Sequence, residues 1–288
     1  YDGGYVAVGY TQSNDGDLTN TGKKATDRDA LIVKLDYDLN IQWIKTYGIT
    51  GTATTGLDDF YSVQVCLDGS YITAGGLGAK DGAASKEKDI CLVKYSEEGE
   101  LLWEKTFGGS GDDCATCISV SPYETSFTED GDRFSDVELK ESGFALTGTT
   151  KSSDGIFADS KTESGIEKAF FIKVNPAGEI ETADLLENTV GSTGESIISI
   201  NDGYMITGMF QSSDFDFTGK TVFGKKDFYV AHYSSFGNFL NMTVFGSDDD
   251  ETVKGIVQGC NDDYILFGNT KSTDFYGHTI SGRYDGFL

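Results

Sequence analysis

The feature that most constrains this chain is an internal repeat. An aromatic residue followed four positions later by glycine occurs as Tyr5/Gly9, Tyr71/Gly75, Phe144/Gly148, Tyr204/Gly208 and Tyr264/Gly268, and successive glycines lie 66, 73, 60 and 60 residues apart. Self-similarity at such a period predicts a stack or ring of equivalent units, each too small to bury its own apolar faces. A second element of strand length follows each copy: DALIVKL from Asp29, DICLVKY from Asp89, KAFFIKV from Lys168, DFYVAHY from Asp227 and a short DGFL from Asp285. These runs are apolar on both faces, as expected of inner strands covered on both sides.

A third element comes after a turn of hairpin length: IQWIKTYG ending at Gly48, LLWEKTFGG ending at Gly109, IETADLL from Ile180 and FLNMTVFG ending at Gly246. Three of the turns place glycine (Gly99, Gly178, Gly237) where a bulged hairpin needs positive φ. A fourth element starts with acidic residues: DDFYSVQVC from Asp58, DDCATCISV from Asp112, ESIISI from Glu195 and ETVKGIVQG from Glu251. It runs through turns such as Asp68-Gly69 and Asp202-Gly203 into the next copy of the first element. With 37 Gly, 2 Pro and 12% aromatic residues, the composition suits many strands joined by tight turns and suits helices poorly.

These elements predict an all-β fold: a β-propeller of four-stranded antiparallel blades, in which each small sheet buries both faces against its neighbours. Residues 1–288 are expected to form a single propeller domain covering about five blades, as a fragment of a larger ring truncated at both ends. An open β-solenoid is disfavoured because its rungs are much shorter than this period. One unit carries an extra polar stretch, SPYETSFTEDGDRFSD, between Val120 and Val137. It reads as a hairpin extension on the loop side, where repeat proteins often carry function.

The combined motif DGGYVAVGYTQSNDGD, DALIVKLD, IQWIKTYG and DD resembles the bacterial β-propeller repeats of secreted and cell-surface proteins, often lipoproteins. That resemblance covers nearly the whole chain. It implies an extracellular or cell-surface location and a role in adhesion or scaffolding, without naming a chemistry. DYDLNIQW and SEEGELLW also resemble the repeat ends of quinone-dependent dehydrogenase propellers, with Trp43 and Trp103 at the matching place. In the later units the matching positions are Thr182 and Asn241, so that pattern lapses halfway.

A formal net charge of -25 without a Lys/Arg stripe excludes nucleic acid as a partner, because a phosphate backbone would be repelled. No signal peptide or apolar run of transmembrane length is read, so membrane insertion of this segment is not expected. The five cysteines (Cys66, Cys91, Cys114, Cys117, Cys260) are odd in number, and the single CxxC has no second pair or His cluster, so they read as ordinary strand cysteines.

The chemistry open to this chain is that of carboxylates. The connections between blades carry Asp58, Asp59, Asp112, Asp113, Glu195, Asp248 and Asp249, and those within blades carry SNDGD at Ser13, SSDGI at Ser152, SSDFD at Ser212 and STDFY at Ser272. In a propeller both loop classes share a face, which predicts an acidic ligand-binding face for a protein or glycan partner. The Ser-x-Asp signature reads first as an Asx-type turn. The alternative is calcium, the one cofactor the loops suggest, with Asp15 and Asp17, or Asp214 and Asp216, presenting paired carboxylates to one ion. No catalytic residues are assigned: His232 and His278 have no nucleophile motif beside them. The expected function is therefore a non-enzymatic binding or scaffold module. The alternative is a glycosidase-like enzyme with two axis-facing carboxylates.

Overall fold

The computed structural model describes residues 3–21, 28–48, 57–78, 87–121, 124–130, 133–261, 263–279 and 285–288, with the side chains of all but 124–130, 133–139 and 278–279. The chain is all-β, with no α-helix among the described residues. Five antiparallel sheets follow one another in chain order. The first contains β1 (Tyr5–Thr11), β2 (Asp29–Leu35) and β3 (Ile41–Tyr47), and the second β4 (Asp59–Val65), β5 (Tyr71–Leu77), β6 (Asp89–Tyr95) and β7 (Leu101–Phe107). The third begins with β8 (Asp113–Val120). The polar insertion then forms its own hairpin, β9 (Glu124–Asp130) with β10 (Arg133–Lys140), before β11 (Phe144–Thr150), β12 (Lys168–Val174) and β13 (Ile180–Leu186) complete the sheet. The fourth is β14 (Ser192–Ile200), β15 (Gly203–Phe210), β16 (Asp227–Ser234) and β17 (Phe239–Phe245). The fifth is β18 (Glu251–Gln258), β19 (Tyr264–Thr270) and β22 (Asp285–Phe287), with a two-residue hairpin, β20 (Asp274–Phe275) and β21 (His278–Thr279), in the loop between.

The fourth repeat element thus forms the first strand of the second to fifth sheets, paired to the aromatic–glycine strand that follows it. Gly99, Gly178 and Gly237 adopt positive φ in their turns, as the hairpin reading requires. The repeated aromatic points back onto the preceding sheet: Tyr71 meets Trp43 edge-on at 5.7 Å, Phe144 meets Trp103 at 6.2 Å, and Tyr204 meets Phe171 at 5.5 Å between ring centroids. Trp43, Trp103 and Thr182 occupy equivalent register positions opposite Lys34, Lys94 and Lys173. Each packs on the turn glycine of the next sheet.

The period-four glycine has a single structural cause. Each first strand is bulged, with Tyr61, Thr116, Glu195 and Lys254 as the extra residues. The bulge pushes a carbonyl against the glycine of the neighbouring strand. A Cβ at Gly75, Gly148, Gly208 or Gly268 would lie 1.8, 2.0, 1.8 or 2.0 Å from that oxygen. No side chain fits there.

First strands of successive sheets lie side by side. The Ser62 hydroxyl accepts the Ile118 N–H at 3.2 Å, and the Ser119 hydroxyl accepts the Ser199 N–H at 3.0 Å. Bulge residues reach the same way: Thr116 donates to the Gly194 carbonyl at 2.8 Å, and Lys254 faces Glu195 at 3.5 Å. Between the sheets lie continuous apolar layers, such as Ile72, Ala74, Ile90 and Leu92 of the second sheet against Phe144, Leu146, Phe170 and Ile172 of the third. Among the described residues the five sheets do not close into a ring, for no strand pairing and no substantial packing joins the fifth to the first.

Candidate functional site

The acidic residues gather where each sheet hands the chain to the next. In the third sheet, Asp113 at the head of β8 accepts hydrogen bonds from the Gly109 N–H at 2.7 Å, the Ser152 hydroxyl at 2.8 Å and the Thr150 hydroxyl. Ser152 also accepts the Gly111 N–H at 2.8 Å, so the exit loop of one sheet is tied to a loop inside the next. The fifth sheet repeats this device with a longer acid. Glu251 accepts from the Ser247 N–H at 2.8 Å, the Thr270 hydroxyl at 2.6 Å and the Ser272 hydroxyl at 2.5 Å. In the fourth sheet the corresponding position is Ser192, whose hydroxyl accepts the Ala169 N–H at 3.0 Å, while in the third sheet the buried cation Lys168 donates to the Ser152 carbonyl at 2.7 Å. The carboxylates serve here as acceptors for backbone N–H groups that the turn of the chain leaves unpaired.

The Ser-x-Asp loops work similarly. Three of them form a short 3-10 turn, at Gly16–Leu18, Gly155–Phe157 and Phe215–Phe217, but the aspartate caps none of these turns. Asp154 and Asp214 reach across the junction instead, Asp154 accepting the Ser110 N–H at 2.7 Å and Asp214 the Thr189 N–H at 2.9 Å. The expected local side-chain-to-backbone turn is made at Asp274, which accepts the Gly277 N–H at 2.8 Å, whereas at Asp154 and Asp214 donors from the neighbouring loop take its place. Asp216 accepts the Glu187 N–H at 3.0 Å and pairs with Lys161. Both members of the Asp214/Asp216 pair therefore already hold protein donors, while Asp15 and Asp17 lie exposed in the first loop. The one group of three convergent ligand atoms among the described residues is elsewhere, at Cys66, Asp68 and Glu141. There the Lys94 ammonium lies 3.6 Å from Asp68 and 3.5 Å from Glu141 and supplies the counter-charge.

The residues expected on a ligand face divide sharply. Asp58, Asp59 and Asp113 are buried. Asp58 accepts the Gly78 N–H at 2.7 Å, and Asp59 is held between Arg28 and Lys88, the latter at 2.5 Å. Glu195 lies within β14 at its bulge rather than at a strand head, and it accepts the Thr193 hydroxyl at 3.1 Å. Asp112 and Asp248 are exposed, each anchored through hydrogen bonds, from the Lys88 N–H at 3.0 Å and from the Thr273 N–H and hydroxyl at 3.3 and 3.1 Å. The Thr273 hydroxyl holds the Asp248 carboxyl below the usual carboxylate range. Asp249 is half-buried and faces Lys225 at 3.4 Å. Together with Asp154 and Asp274, the exposed members form a rim of oriented carboxylates at one end of the stack. His232 packs 3.4 Å from Asp202 at a turn, and the side chain of His278 lies outside the described residues.

All five cysteines are free, and burial pushes the Cys114 thiol up to about 11, far from a reactive thiolate. The residues of the junction that sequence reading missed are the aspartates heading the second element. Asp227 is fully buried, accepts the Phe223 N–H at 2.6 Å and lies in the field of the Glu251 carboxyl. Gly108 separates Asp89 from Asp113 in the same way, since a Cβ there would lie 2.4 and 2.6 Å from their oxygens. The signal was present in the recurrence of Asp29, Asp89 and Asp227 together with Gly48, Gly108 and Gly246 at the end of the third element, each glycine lying against its aspartate.

Burial, reinforced by the neighbouring Glu251, pushes the Asp227 carboxyl up to about 6. A carboxyl whose folded pKa is raised contributes stability in its protonated form, present at low pH and lost as pH rises through about 6. Asp227→Asn places a neutral amide donor where the protonated acid stood. The variant should gain melting temperature relative to the unsubstituted protein as pH rises from 5 to 8, in paired thermal melts. A constant difference across that window would refute the assignment.

No helix among the described residues is long and apolar enough to cross a membrane. Comparison with family models and with curated proteins returns no match.

Proposed function

We propose that this chain is a non-enzymatic binding and scaffold module of β-propeller type, residues 1–288 forming one domain, in a secreted or cell-surface bacterial protein. Its ligand is a protein with a basic patch, received on the carboxylate rim. The observation that carries this reading is the division of labour among the acids. Asp58, Asp59 and Asp113 are spent inside the junctions, while Asp112, Asp154, Asp248 and Asp274 stand outside on loops those junctions hold rigid. Each exposed carboxylate is anchored by a hydrogen bond within the loops, so little side-chain entropy is lost on meeting a cation. The side-by-side first strands, joined through Ser62, Ser119 and Ser199, support the propeller geometry.

The test compares two quadruple variants of equal charge, measuring affinity for a set of immobilised Lys/Arg-rich peptides and a glycan array at physiological salt. Asp112, Asp154, Asp248 and Asp274 changed to Asn should weaken peptide binding by at least about tenfold, a loss of roughly 1.4 kcal/mol. Glu97, Glu98, Glu179 and Asp202, exposed on turns at the opposite end, should tolerate change to Gln or Asn without loss. Equal effects from the two sets would reduce the binding to net charge and sink the proposal. So would uncharged-glycan binding that neither set alters, or hydrolysis of a glycan.

A further inference from the structure

The loop that follows Asp154 in the third sheet has its equivalent after Asp214 in the fourth. Phe157 and Phe217 are both buried, against Phe170 at 5.8 Å and Tyr229 at 5.5 Å between ring centroids. Three positions on, Ser160 and Lys220 each donate their N–H to that phenylalanine's carbonyl at 3.0 Å. The fourth sheet then uses the lysine: the Lys220 ammonium donates to the carbonyl of Met242 on the last strand. In the third sheet the equivalents are Ser160 and Ala183, the latter paired with Ile172 as Met242 is with Ala231. Both are small, and Ala183 there borders a cavity of about 140 Å³. Ile156, Phe157 and Leu185 give this cavity apolar walls, and Asp184 and Glu187 give it carboxylates.

The two acids stand where the fourth sheet has Thr243 and Gly246, so charge has been added at the place from which a lysine is missing. Glu187 is 1% exposed; its Oε2 accepts the Lys161 N–H at 2.8 Å, and its other oxygen receives no hydrogen bond from the described residues. The cations nearby are engaged elsewhere. Lys161 pairs with Asp216, and Lys168, whose field reaches Glu187, donates to the Ser152 carbonyl. Burial raises the Asp184 carboxyl above its ordinary pKa, although the Tyr233 hydroxyl donates to it at 2.8 Å.

We propose that this cavity receives one lysine side chain of the basic partner, its methylenes against Ile156, Phe157 and Leu185 and its ammonium at Asp184, Glu187 and the Ala183 carbonyl. The partner's lysine thus takes the place that Lys220 fills from within in the fourth sheet. The inference rests on the basic-partner reading and sharpens it, for the loop that carries Asp154 of the rim also walls the cavity. At about 30 Å³ per water the space holds about five water-sized groups. That suffices for the tail and ammonium of a lysine, whereas the wider planar guanidinium of an arginine does not fit together with its stem.

Two variants test this, with circular dichroism as the check on folding: Ser160→Lys supplies the missing lysine from within, and Asp184→Asn removes a charge but keeps an acceptor for Tyr233. The readouts are peptide affinity at physiological salt and melting temperature in n-butylammonium chloride, with tetramethylammonium chloride as the control. The unsubstituted protein should bind a lysine-rich peptide at least about fivefold more tightly than its all-arginine counterpart, and n-butylammonium alone should raise its melting temperature. Ser160→Lys should reduce lysine-peptide affinity to that of the arginine peptide, leave the latter unchanged and abolish the n-butylammonium response. Asp184→Asn should weaken both the preference and the response. The quadruple rim variant should lose peptide affinity yet keep the n-butylammonium response, which separates failure at the rim from failure at the cavity. Equal affinity for the two peptides, no n-butylammonium response, or a response that survives Ser160→Lys would each overturn the proposal. A protein that binds neither peptide but still responds to n-butylammonium would overturn the lysine partner and assign the cavity to a free alkylammonium ion.

Discussion

Gly75→Ala should destabilise the protein by at least about 3 kcal/mol, whereas Gly9→Ala, at the same place in the repeat, should leave stability within about 1 kcal/mol. The contrast comes from one local feature. At Gly75 the added methyl would sit 1.8 Å from the Asp59 carbonyl oxygen, which the bulge at Tyr61 drives toward it. That oxygen is backbone within a paired strand, so relief requires the bulge to be undone and the inner strand to lose its register with the next sheet. At Gly9 nothing lies within 4 Å, because no first strand pairs with β1 among the described residues. Alanine there would regain some of the conformational entropy that glycine loses in a strand. Urea denaturation of the two variants reads the difference directly, and equal midpoints would show that the glycine is not set by the bulge.

A second large effect is expected at the junction acid. Asp113→Ala removes the shared acceptor of the Gly109 N–H and the Thr150 and Ser152 hydroxyls at a fully buried position. Leaving a buried donor unsatisfied costs about 1–3 kcal/mol, so the combined loss should reach roughly 4 kcal/mol after partial relaxation. Asp113→Asn keeps one acceptor oxygen and should lose about half as much. Burial already raises the Asp113 carboxyl above its ordinary pKa despite those hydrogen bonds, so the charge itself contributes less than the geometry. In a double-mutant cycle, Asp113→Ala and Thr150→Val should be strongly non-additive, since both remove the same bond. Additive losses would mean that the carboxylate does not organise the loops.

The strands and hairpin turns were legible because their signals are local. Alternation and apolar runs mark β2, β6, β12 and β16, and turn glycines such as Gly99 need positive φ whatever surrounds them. The cause of the repeated glycine was not legible, because a bulge arises from pairing register, which no single strand encodes. The acids divide along the same line. A DD pair such as Asp58 and Asp59 reads as a solvated loop head, yet both are buried, since their donors arrive from distant residues. Gly78 is 20 positions from Asp58, and Lys88 is 29 positions from Asp59. Asp112 and Asp248, one and three positions before their strand heads, stay exposed, whereas Asp58 at the position before Asp59 is buried against the Gly78 N–H. The expectation of a ring goes beyond what the described sheets form, for stacking polarity is a property of neighbouring pairs, whereas closure depends on the sum of their rotations.

The most direct measurement of how successive sheets meet is a cross-link between their first strands. The Ser62 hydroxyl of β4 lies 3.9 Å from the Cys117 sulfur of β8, a contact made only if those strands run side by side. Ser62→Cys under mild oxidation should yield a disulfide between position 62 and Cys117 in most molecules, identified by peptide mapping, with an unchanged far-ultraviolet spectrum. Folded protein in which position 62 stays reduced, or pairs indiscriminately with Cys66, Cys91 and Cys260, would contradict the side-by-side arrangement on which the fold and the junctions rest.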